Sequence, residues 1–470
     1  MSAASPAPST TTSTGGRTVV VGHGMAAVAL VERLVARGVG DVTVVGDERH
    51  APYNRILLSA VLEGTHRTEA LTLRSASWFA DHGVDLRTGT AVTAIRRATR
   101  EVELADGTRL GYDRLVLATG SAPELPPIRG LVDADGRLDE RVHAFRTLDD
   151  CERLLAAVPD ARSAIVVGGG LLGLQVARAL GVQGLRTEVV EAGDHVLRGQ
   201  VGPAAGAILA RSLARLGTQV YTGARATRLV DEGLRLADGY VLDADLVVLA
   251  AGCRPRVRLA RAAGIATRRG IVVDDRLTTS DPRVHALGDC AEHDGRTPGL
   301  VPPAWDQARV LADRIAGDDV RYTGHRLVAR LRATGLDVAV LGEPERATGE
   351  VVTVSNPVTG THRTLVVDGG VVVAATLVGD LSRVGVITQA YDRGTVLGAG
   401  EPGELLLPPR PSAPTVLPDD AEVCACAGVS AGRVRACASI DEVRETTRAT
   451  TGCGGCLSTC QTLLPELVKG

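Results

Sequence analysis

Two stretches of the chain share one arrangement of hydrophobic and polar positions. In each, an almost unbroken apolar run leads into a glycine-rich turn and then an apolar stretch of helical character; the runs are Thr18–Val21 and Ser163–Val167. An apolar run without alternation is typical of a strand buried on both faces, as in a parallel sheet. The pattern predicts two strand–turn–helix units in an α/β fold, and the second helix is expected to end at Leu180, before Gly181.

The pattern changes between residues 320 and 400, where short β-branched runs follow one another closely. Asp368, Gly369 and Gly370 separate two of these runs, and this sequence is typical of a hairpin turn. We therefore predict an α+β domain packed on the body. The runs are Val351–Val354, Thr364–Val367 and Val371–Thr376.

Two segments differ from the globular body in composition. Residues 1–16 are small, polar and uncharged, which predicts a disordered extension and is unlike a signal peptide. Residues 401–420 contain six prolines, which predicts a semi-rigid linker. Such a linker suggests that a tail of about 50 residues is held away from the body.

The charge balance excludes several classes of partner. The chain has 52 basic and 55 acidic residues, so its formal net charge is −3. Proteins that bind nucleic acid or acidic lipid through electrostatics carry a basic excess instead. No uncharged apolar run approaches the roughly 18 residues of a membrane span. We expect a cytoplasmic protein without a nucleic-acid or membrane partner.

The glycine-rich turns predict two dinucleotide sites. A bound pyrophosphate needs a tight turn, close backbone approach and the positive end of a helix, and small residues at three fixed positions provide these features. Each turn follows a strand and opens a helix, as this interpretation requires. Rossmann-like units without a nucleotide remain the alternative. The matching residues are Gly22, Gly24 and Ala27 in the first turn, and Gly168, Gly170 and Gly173 in the second.

An acidic residue follows the next predicted strand in both units. Glu191 comes after the second turn, where a carboxylate bonds the ribose hydroxyls and repels a 2′-phosphate, so we expect NADH over NADPH. Asp47, followed by Glu48, comes after the first turn and is the candidate for an adenosine ribose. Two dinucleotide sites in one chain suggest a flavin together with a nicotinamide.

Three further segments, Leu115–Ser121, Leu246–Gly252 and Thr279–Asp289, carry a resemblance to the two-dinucleotide-domain pyridine nucleotide–disulfide oxidoreductase superfamily. The resemblance implies FAD and NADH as cofactors, with an NAD-binding domain inserted in an FAD-binding domain. It implies that the aspartate of the third segment bonds the flavin ribitol. The additional cofactor-binding residues implied are Thr119, Gly120, Gly252, Gly288 and Asp289.

The superfamily's disulfide branch has a C-x-x-x-x-C pair early in the FAD domain, whereas residues 1–150 here contain no cysteine. We therefore exclude dithiol chemistry in the body. Hydride transfer between two bound cofactors needs no protein acid, base or nucleophile, so no catalytic residue is assigned.

Six of the nine cysteines lie in the last 47 residues. Cys424 and Cys426 form C-x-C, and Cys453 and Cys456 form C-x-x-C after 26 intervening residues. Four thiolates can hold a 2Fe–2S cluster or a zinc ion. The segments around both pairs resemble the bacterioferritin-associated ferredoxin-like 2Fe–2S domain, with a shorter spacer. The resemblance favours the cluster, with these four cysteines as ligands.

The segment Pro52–Ser59 resembles the flavin-side stretch in the N-terminal half of assimilatory NADH-nitrite reductase large subunits. The electron-transfer subunit of bacterial assimilatory nitrate reductase resembles the same half. By this resemblance Asn54 and Arg55 lie against the flavin, and Pro303 lies beside its ring. A solvated surface arginine is the alternative for Arg55.

These resemblances define the expected organisation and function. We expect electrons to pass from NADH through FAD to a 2Fe–2S cluster and then to a molybdopterin nitrate reductase catalytic subunit. The alternatives are an NADH-dependent rubredoxin or ferredoxin reductase, a nitrite reductase component, or a redox sensor or scaffold with a zinc-binding tail. The expected boundaries are 1–16 for the extension, 17–122 and 256–318 for the FAD-binding domain, 123–255 for the NAD-binding domain, 319–400 for the α+β interface domain, 401–420 for the linker and 421–470 for the small helical 2Fe–2S domain.

Overall fold

A computed structural model describes residues 16–297, 299–397, 402–407, 417–452 and 454–464. Nearly all of the predicted N-terminal extension, part of the predicted linker and Cys453 lie outside these residues. The chain forms two compact units. The first comprises the described residues up to Tyr53, Thr72–Ala122 and Cys253–His325; the second comprises Asn54–Leu71, Pro123–Gly252 and the described residues from Arg326 onward.

The first unit is built on a five-stranded parallel sheet. Its central strand carries Val19 and Val20, both fully buried, because the sheet is covered on both faces. The strands, in spatial order, are Val284–Ala286, Arg114–Leu117, Thr18–Val21, Val42–Val45 and Val84–Arg87.

Helices and smaller sheets complete the first unit. Helices Met25–Ala36 and Val301–Ile315 pack together, and both contribute to the same hydrophobic core. The other helices are Ala76–Asp81 and Arg258–Ala262, with a 3-10 turn at Gly288–Cys290. The smaller sheets contain Val92–Arg96, Glu101–Leu104 and Arg109–Gly111, and the pair Ile271–Val273 and Ala291–His293.

A second five-stranded parallel sheet forms the centre of the second unit. Helix Leu171–Val182 follows its middle strand, and helix Leu58–Glu63 packs against that helix. The strands, in spatial order, are Thr218–Thr222, Arg186–Glu191, Ser163–Val167, Leu246–Leu249 and Val142–Ala144. Helices Leu148–Ala157 and Pro203–Arg215 and the antiparallel strands Ala226–Val230, Gly233–Leu236 and Val241–Asp243 belong to the same unit.

An antiparallel five-stranded sheet with one helix, Val384–Arg393, follows in the second unit. Asp368 pairs with Val371, so Gly369 and Gly370 form the predicted hairpin turn. The strands, in spatial order, are Val328–Ala333, Leu336–Leu341, Val371–Val378, Thr361–Asp368 and Glu350–Asn356. The two parallel sheets and this antiparallel sheet confirm the predicted α/β fold class.

The prediction that Gly181 ends the helix was wrong by two residues. The helix continues to Val182, and Gln183 N–H still donates to Ala179 O at 3.0 Å. Glycine lacks only a side chain and retains its backbone donor, so it weakens a helix without interrupting the hydrogen bonds. The chain turns at Gly184, whose φ of +95° lies in the left-handed region that glycine favours.

The tail contains strands Glu422–Cys424 and Val429–Ser430 and helices Ala431–Arg435, Ile440–Thr447 and Leu457–Leu463. Ser439 caps the middle helix, accepting from the N–H of Glu442 at 3.1 Å, while Glu442 Oε2 accepts from Ala438 N–H at 2.7 Å. Ser439 is therefore the N-cap of this helix, and the Glu442 carboxylate ties the residue before the cap to the first turn.

No helix within the described ranges combines the length and the apolar character that crossing a membrane requires.

Candidate functional site

The first glycine turn brings backbone amides to the start of helix Met25–Ala36. Gly22 has a φ of +104°, and a Cβ there would lie 2.2 Å from Ala118 O, so only glycine fits. The helix has no side-chain cap and no acidic residue in its first turn. An N-terminus with these properties suits an anion such as a pyrophosphate. Gly24 is the N-cap and Ala27 is buried in the helix.

His23 explains a second glycine near this turn. A Cβ at Gly46 would lie 1.5 Å from His23 Nδ1, so the imidazole occupies the space that a side chain would need. The His23 Nε2 lies 3.1 Å from His50 O, and the residue is only 5% exposed. Gly46 therefore allows the ring to pack between the first turn and the end of strand Val42–Val45.

Both candidate ribose acids of the first unit have protein partners. Asp47 forms an ion pair with Arg256, whose Nη1 lies 2.9 Å from Asp47 Oδ2. Glu48 accepts a hydrogen bond of 2.6 Å from the hydroxyl of the buried Tyr53. A ribose at Asp47 would share the carboxylate with Arg256, whereas Glu48 is oriented by a neutral donor.

Asp289 and the turn after strand Arg114–Leu117 lie together. Ser121 Oγ donates to Asp289 Oδ2 at 3.0 Å. Thr119 Oγ1 donates to Arg256 O at 2.9 Å, and Gly120 has a φ of +66°. This cluster gathers a carboxylate, two hydroxyl groups and a glycine turn within the first unit.

Gly288 connects that cluster to the first glycine turn. Its N–H donates to Oε1 of the buried Gln307 at 2.8 Å, and its φ is +75°. A Cβ at Gly288 would lie 2.9 Å from the Ala26 side chain. Gln307 and Pro303 both belong to helix Val301–Ile315, with Pro303 in the first turn. The predicted flavin residues of the first unit thus occupy neighbouring segments.

The second glycine turn repeats the geometry of the first. Gly168 has a φ of +113°, and a Cβ there would lie 2.5 Å from Ala250 O. A Cβ at Gly173 would lie 1.9 Å from Gly168 O, so this residue allows the helix to pack against the turn. A Cβ at Gly170 would meet no protein atom within 4 Å. The open side of Gly170 is the side that a pyrophosphate would approach.

Glu191 ends strand Arg186–Glu191 beside this turn. Its Oε2 accepts from the Gly169 N–H at 2.7 Å, and its Oε1 accepts from the Gly193 N–H at 2.6 Å. The carboxylate is therefore fixed between the glycine turn and the loop after the strand. Gly252, also predicted to bind cofactor, has a φ of +119° and accepts a backbone hydrogen bond from Glu124.

Asn54 and Arg55 lie at the start of a short helical segment in the second unit. Asn54 is 3% exposed, and its Oδ1 accepts from the Ile56 N–H at 3.0 Å. Its Nδ2 donates to Thr451 O in the tail. Arg55 Nη1 donates to Arg146 O at 3.2 Å. The suggestion that the tail is held away from the body was wrong, because the side-chain amide of the buried Asn54 donates a hydrogen bond to Thr451 O in the tail.

The described tail thiols share one small hydrophobic core. Cys424 and Cys456 are buried, and Cys426 is half-buried at its edge. The Thr450 N–H donates to Cys456 Sγ at 3.2 Å. A hydrogen bond with Cys424, followed by burial, raises the pKa of the Cys456 thiol. Binding of a metal cation or cluster would require such thiols to lose their protons, and Cys424 and Cys456 are two of the four predicted ligands.

Several residues beyond the predicted ones organise these sites. Ser121 bonds Asp289, and Gln307 holds Gly288. Ser121 follows Thr119 and Gly120 directly, and Gln307 lies one helical turn after Pro303. Their closeness in sequence to predicted site residues could have indicated their roles. Arg198, 3.7 Å from Glu191 through Nε, had no comparable signal in the sequence.

Comparison with known proteins supports this organisation. Residues 16–308 match the family described as pyridine nucleotide-disulphide oxidoreductase. The chain is 35% identical over 457 residues to the nitrite reductase [NAD(P)H] of Bacillus subtilis, covering 93% of this chain and 56% of that protein. It is 32% identical over 470 residues to the assimilatory nitrate reductase electron transfer subunit of the same organism. That match covers 95% of this chain and 59% of the subunit.

A crystal structure of the covalent putidaredoxin reductase–putidaredoxin complex matches with a TM-score of 0.74 and 28% identity, covering 83% of this chain and 95% of that one. The chain spans between half and three fifths of the length of both Bacillus relatives. The family match extends over both glycine turns, Glu191 and Asp289. The chain therefore belongs to the pyridine nucleotide-disulphide oxidoreductase family and is a nicotinamide-dependent flavoprotein oxidoreductase.

Proposed function

We propose that the chain carries electrons from NADH through FAD to a 2Fe–2S cluster and on to the catalytic subunit of an assimilatory nitrate reductase. The observation that supports this proposal is a combination of two features. Two glycine turns each lead into a helix without a side-chain N-cap, and the tail contains a group of buried thiols. Dinucleotide sites alone would support hydride transfer, whereas the thiols add a place for a one-electron carrier. The cytoplasmic location expected from the sequence remains part of the proposal.

The first unit would hold FAD. The turn at Gly22, Gly24 and Ala27 presents helix amides to the pyrophosphate, while Glu48 or Asp47 takes the adenosine ribose. Asp289, oriented by Ser121, would bond the ribitol. Bound flavin supplies the exchange between two-electron and one-electron chemistry.

The second unit would hold NADH. The turn at Gly168, Gly170 and Gly173 places the N-terminus of helix Leu171–Val182 toward the pyrophosphate. Glu191, fixed by two backbone amides, would accept from the ribose hydroxyls. The expected preference for NADH rests on that carboxylate, and the roles of Asn54, Arg55 and Pro303 at the flavin remain predictions.

The tail would hold the cluster through Cys424, Cys426 and Cys456 together with Cys453. Backbone donation to a ligand sulfur, as from Thr450 N–H to Cys456, stabilises the charged thiolate and tunes the potential of iron–sulfur centres. We favour the cluster over zinc because a flavoprotein has a use for a one-electron acceptor. A zinc-binding tail would instead support the sensor or scaffold alternative.

The relatives favour two acceptors. The nitrate reductase electron transfer subunit supports a molybdopterin nitrate reductase as partner. The nitrite reductases support a second candidate, in which the chain is a nitrite reductase component. The likeness to a ferredoxin reductase (29% identity) supports a ferredoxin as a third candidate acceptor. A rubredoxin stays an alternative that rests on the sequence resemblance.

An anaerobic titration with NADH, followed by absorbance and electron paramagnetic resonance, tests the relay. We expect bleaching of the flavin and a signal from a one-electron-reduced 2Fe–2S cluster. A bleached flavin without an iron signal, with zinc bound to the tail, would contradict the relay. Mixing the reduced protein with purified nitrate reductase, nitrite reductase or ferredoxin then identifies the acceptor by the fastest reoxidation.

A further inference from the structure

One loop of the tail is bonded on two sides. The Thr450 N–H donates to Cys456 Sγ at 3.2 Å, so the loop directs a backbone donor at a predicted ligand. Thr451 O accepts from the side-chain amide of Asn54, which lies 397 residues earlier in the chain. Another predicted ligand, Cys453, follows Thr451 after one residue in the sequence. The loop therefore connects the Asn54 amide with the ligand thiols.

The backbone of this loop has a conformation that neighbouring contacts must maintain. Arg448 has a φ of +63° and Thr450 a φ of +69°. Residues other than glycine rarely adopt this left-handed region, and they remain there where surrounding contacts hold them. Arg444 supplies one such contact, because its Nε donates to Thr450 Oγ1 at 3.3 Å. The bond from Asn54 to Thr451 O supplies another at the next residue.

Both ends of the Asn54 amide have a partner. The residue is 3% exposed, and its Oδ1 accepts from the Ile56 N–H at 3.0 Å within its own segment. Its Nδ2 donates to the tail. Separating a buried donor from its acceptor costs free energy, so the Thr451 carbonyl stays with Asn54. The loop is thereby fixed relative to segment Asn54–Leu71.

A second pair of side chains lies across the same contact. His66 belongs to segment Asn54–Leu71, and burial, followed by the Arg444 guanidinium, lowers the pKa of its imidazole. Arg444 is also the residue that donates to Thr450 Oγ1. The contact between the segment and the tail therefore extends beyond the Asn54 amide to helix Ile440–Thr447.

We propose that Asn54 is a positioning residue of the tail metal centre, which fixes the loop that donates to Cys456 and thereby raises the reduction potential of the centre. This inference rests on the proposed function, because a potential of this kind requires the 2Fe–2S cluster. Hydrogen bonds to the sulfur atoms of a cluster set its potential, and a donor stabilises the reduced, more negative form.

A redox titration of the full chain, monitored by electron paramagnetic resonance, tests the inference. Asn54→Ser is the informative variant, because serine can still accept from the Ile56 N–H but is too short to reach Thr451. We expect the equilibrium constant for one-electron reduction of the cluster to fall about tenfold, which lowers the potential by about 59 mV. Asn54→Asp also keeps the acceptor for Ile56 and adds a negative charge opposite Thr451 O, so it should lower the potential at least as far.

Asn356→Ser is the matched control, because it makes the same chemical change in a different part of the chain. The exposed Asn356 accepts from the N–H groups of Val358 at 3.1 Å and Thr359 at 3.3 Å, within its own hairpin turn. We expect its reduction constant to stay within twofold of wild type. An equal fall in Asn54→Ser and Asn356→Ser would overturn the inference, since the effect would not depend on the contact with Thr451.

Cobalt(II) binding to the full chain after removal of iron provides a second readout, through the absorption of cobalt–thiolate bonds. We expect Asn54→Ser to bind cobalt about tenfold more weakly than wild type, as for other residues that orient metal ligands. If the cluster forms, equal potentials in wild type and Asn54→Ser would overturn this inference and leave the relay intact. If wild type gives no iron signal, the proposed function fails, and equal cobalt affinities would then overturn the positioning role as well.

Discussion

At the residue scale, two glycines of the second turn have different roles: Gly173 permits close packing, and Gly170 leaves space for a ligand. A Cβ at Gly173 would strike Gly168 O at 1.9 Å, whereas one at Gly170 would meet no protein atom within 4 Å. Gly173→Ala should therefore lower the free energy of unfolding by about 1–3 kcal/mol, the usual cost of overpacking. Gly170→Ala should leave stability within about 0.5 kcal/mol of wild type and raise the KM for NADH. Urea denaturation and steady-state kinetics measure the two effects.

The two variants also test whether the coenzyme pyrophosphate approaches the open side of Gly170. If Gly170→Ala leaves both the stability and the KM for NADH unchanged, the open side of the turn does not face the coenzyme. Loss of stability in both variants would mean that the turn is packed more tightly than the structure shows.

His285 predicts a pH dependence of folding in the first unit. Burial lowers its pKa to about 4 from an ordinary 6.5. Between these values the unfolded chain binds the proton and the folded chain does not, so stability falls as the pH drops below 6.5. From pH 7 to 5 this residue should account for a loss of about 2 kcal/mol. Denaturation of wild type and His285→Gln at both pH values measures the difference.

The Gln variant retains hydrogen-bonding capacity but cannot titrate in this range. Its stability should therefore fall less than that of wild type over the same interval. An identical fall in both proteins would assign the acid sensitivity to other groups.

At the element scale, the buried side-chain amide of Asn54 connects segment Asn54–Leu71 with the tail. Asn54→Asp would keep the acceptor for the Ile56 N–H but place a carboxylate opposite the carbonyl of Thr451. We expect faster hydrogen exchange in residues 448–457 and unchanged exchange in helix Leu58–Glu63. Losing a buried hydrogen bond costs about 1–3 kcal/mol locally. Exchange monitored by mass spectrometry measures both regions.

Thr65→Val is the control for that variant. Thr65 is exposed in the same segment, and its hydroxyl bonds Ala60 O at 3.0 Å rather than the tail. Equal exchange in the tail of wild type and Asn54→Asp would mean that other contacts hold the tail in place.

The elements that local sequence patterns predicted differ from the long-range contacts that they did not. The strand–glycine–helix units and the hairpin at Gly369 and Gly370 depend on neighbouring residues, so local patterns predicted them. The Asn54–Thr451 bond joins positions 397 residues apart. The contact between Arg198 and Glu191 depends on how one loop folds back. Such contacts follow from tertiary packing and leave no periodic signal in the chain.

At the scale of the whole molecule, the antiparallel sheet extends its core beyond the boundary expected from the sequence. Leu406 is fully buried in that core, and its carbonyl accepts from the buried Arg363 guanidinium. A body fragment that ends at residue 400 would lose both contacts. Burial of a leucine contributes about 1.5–3 kcal/mol, so a fragment ending at residue 407 should be the more stable of the two in urea.

The fragment ending at residue 407 separates hydride transfer from one-electron delivery. It lacks every tail thiol but keeps both glycine turns, so NADH-dependent reduction of ferricyanide should stay within about twofold of the full chain. Transfer to a protein acceptor should be lost, because the proposed one-electron carrier is absent. Cys424→Ser in the full chain should reproduce that loss without removing the tail. If the fragment still reduces the acceptor at the full rate, electrons leave the flavin directly and the tail serves another purpose.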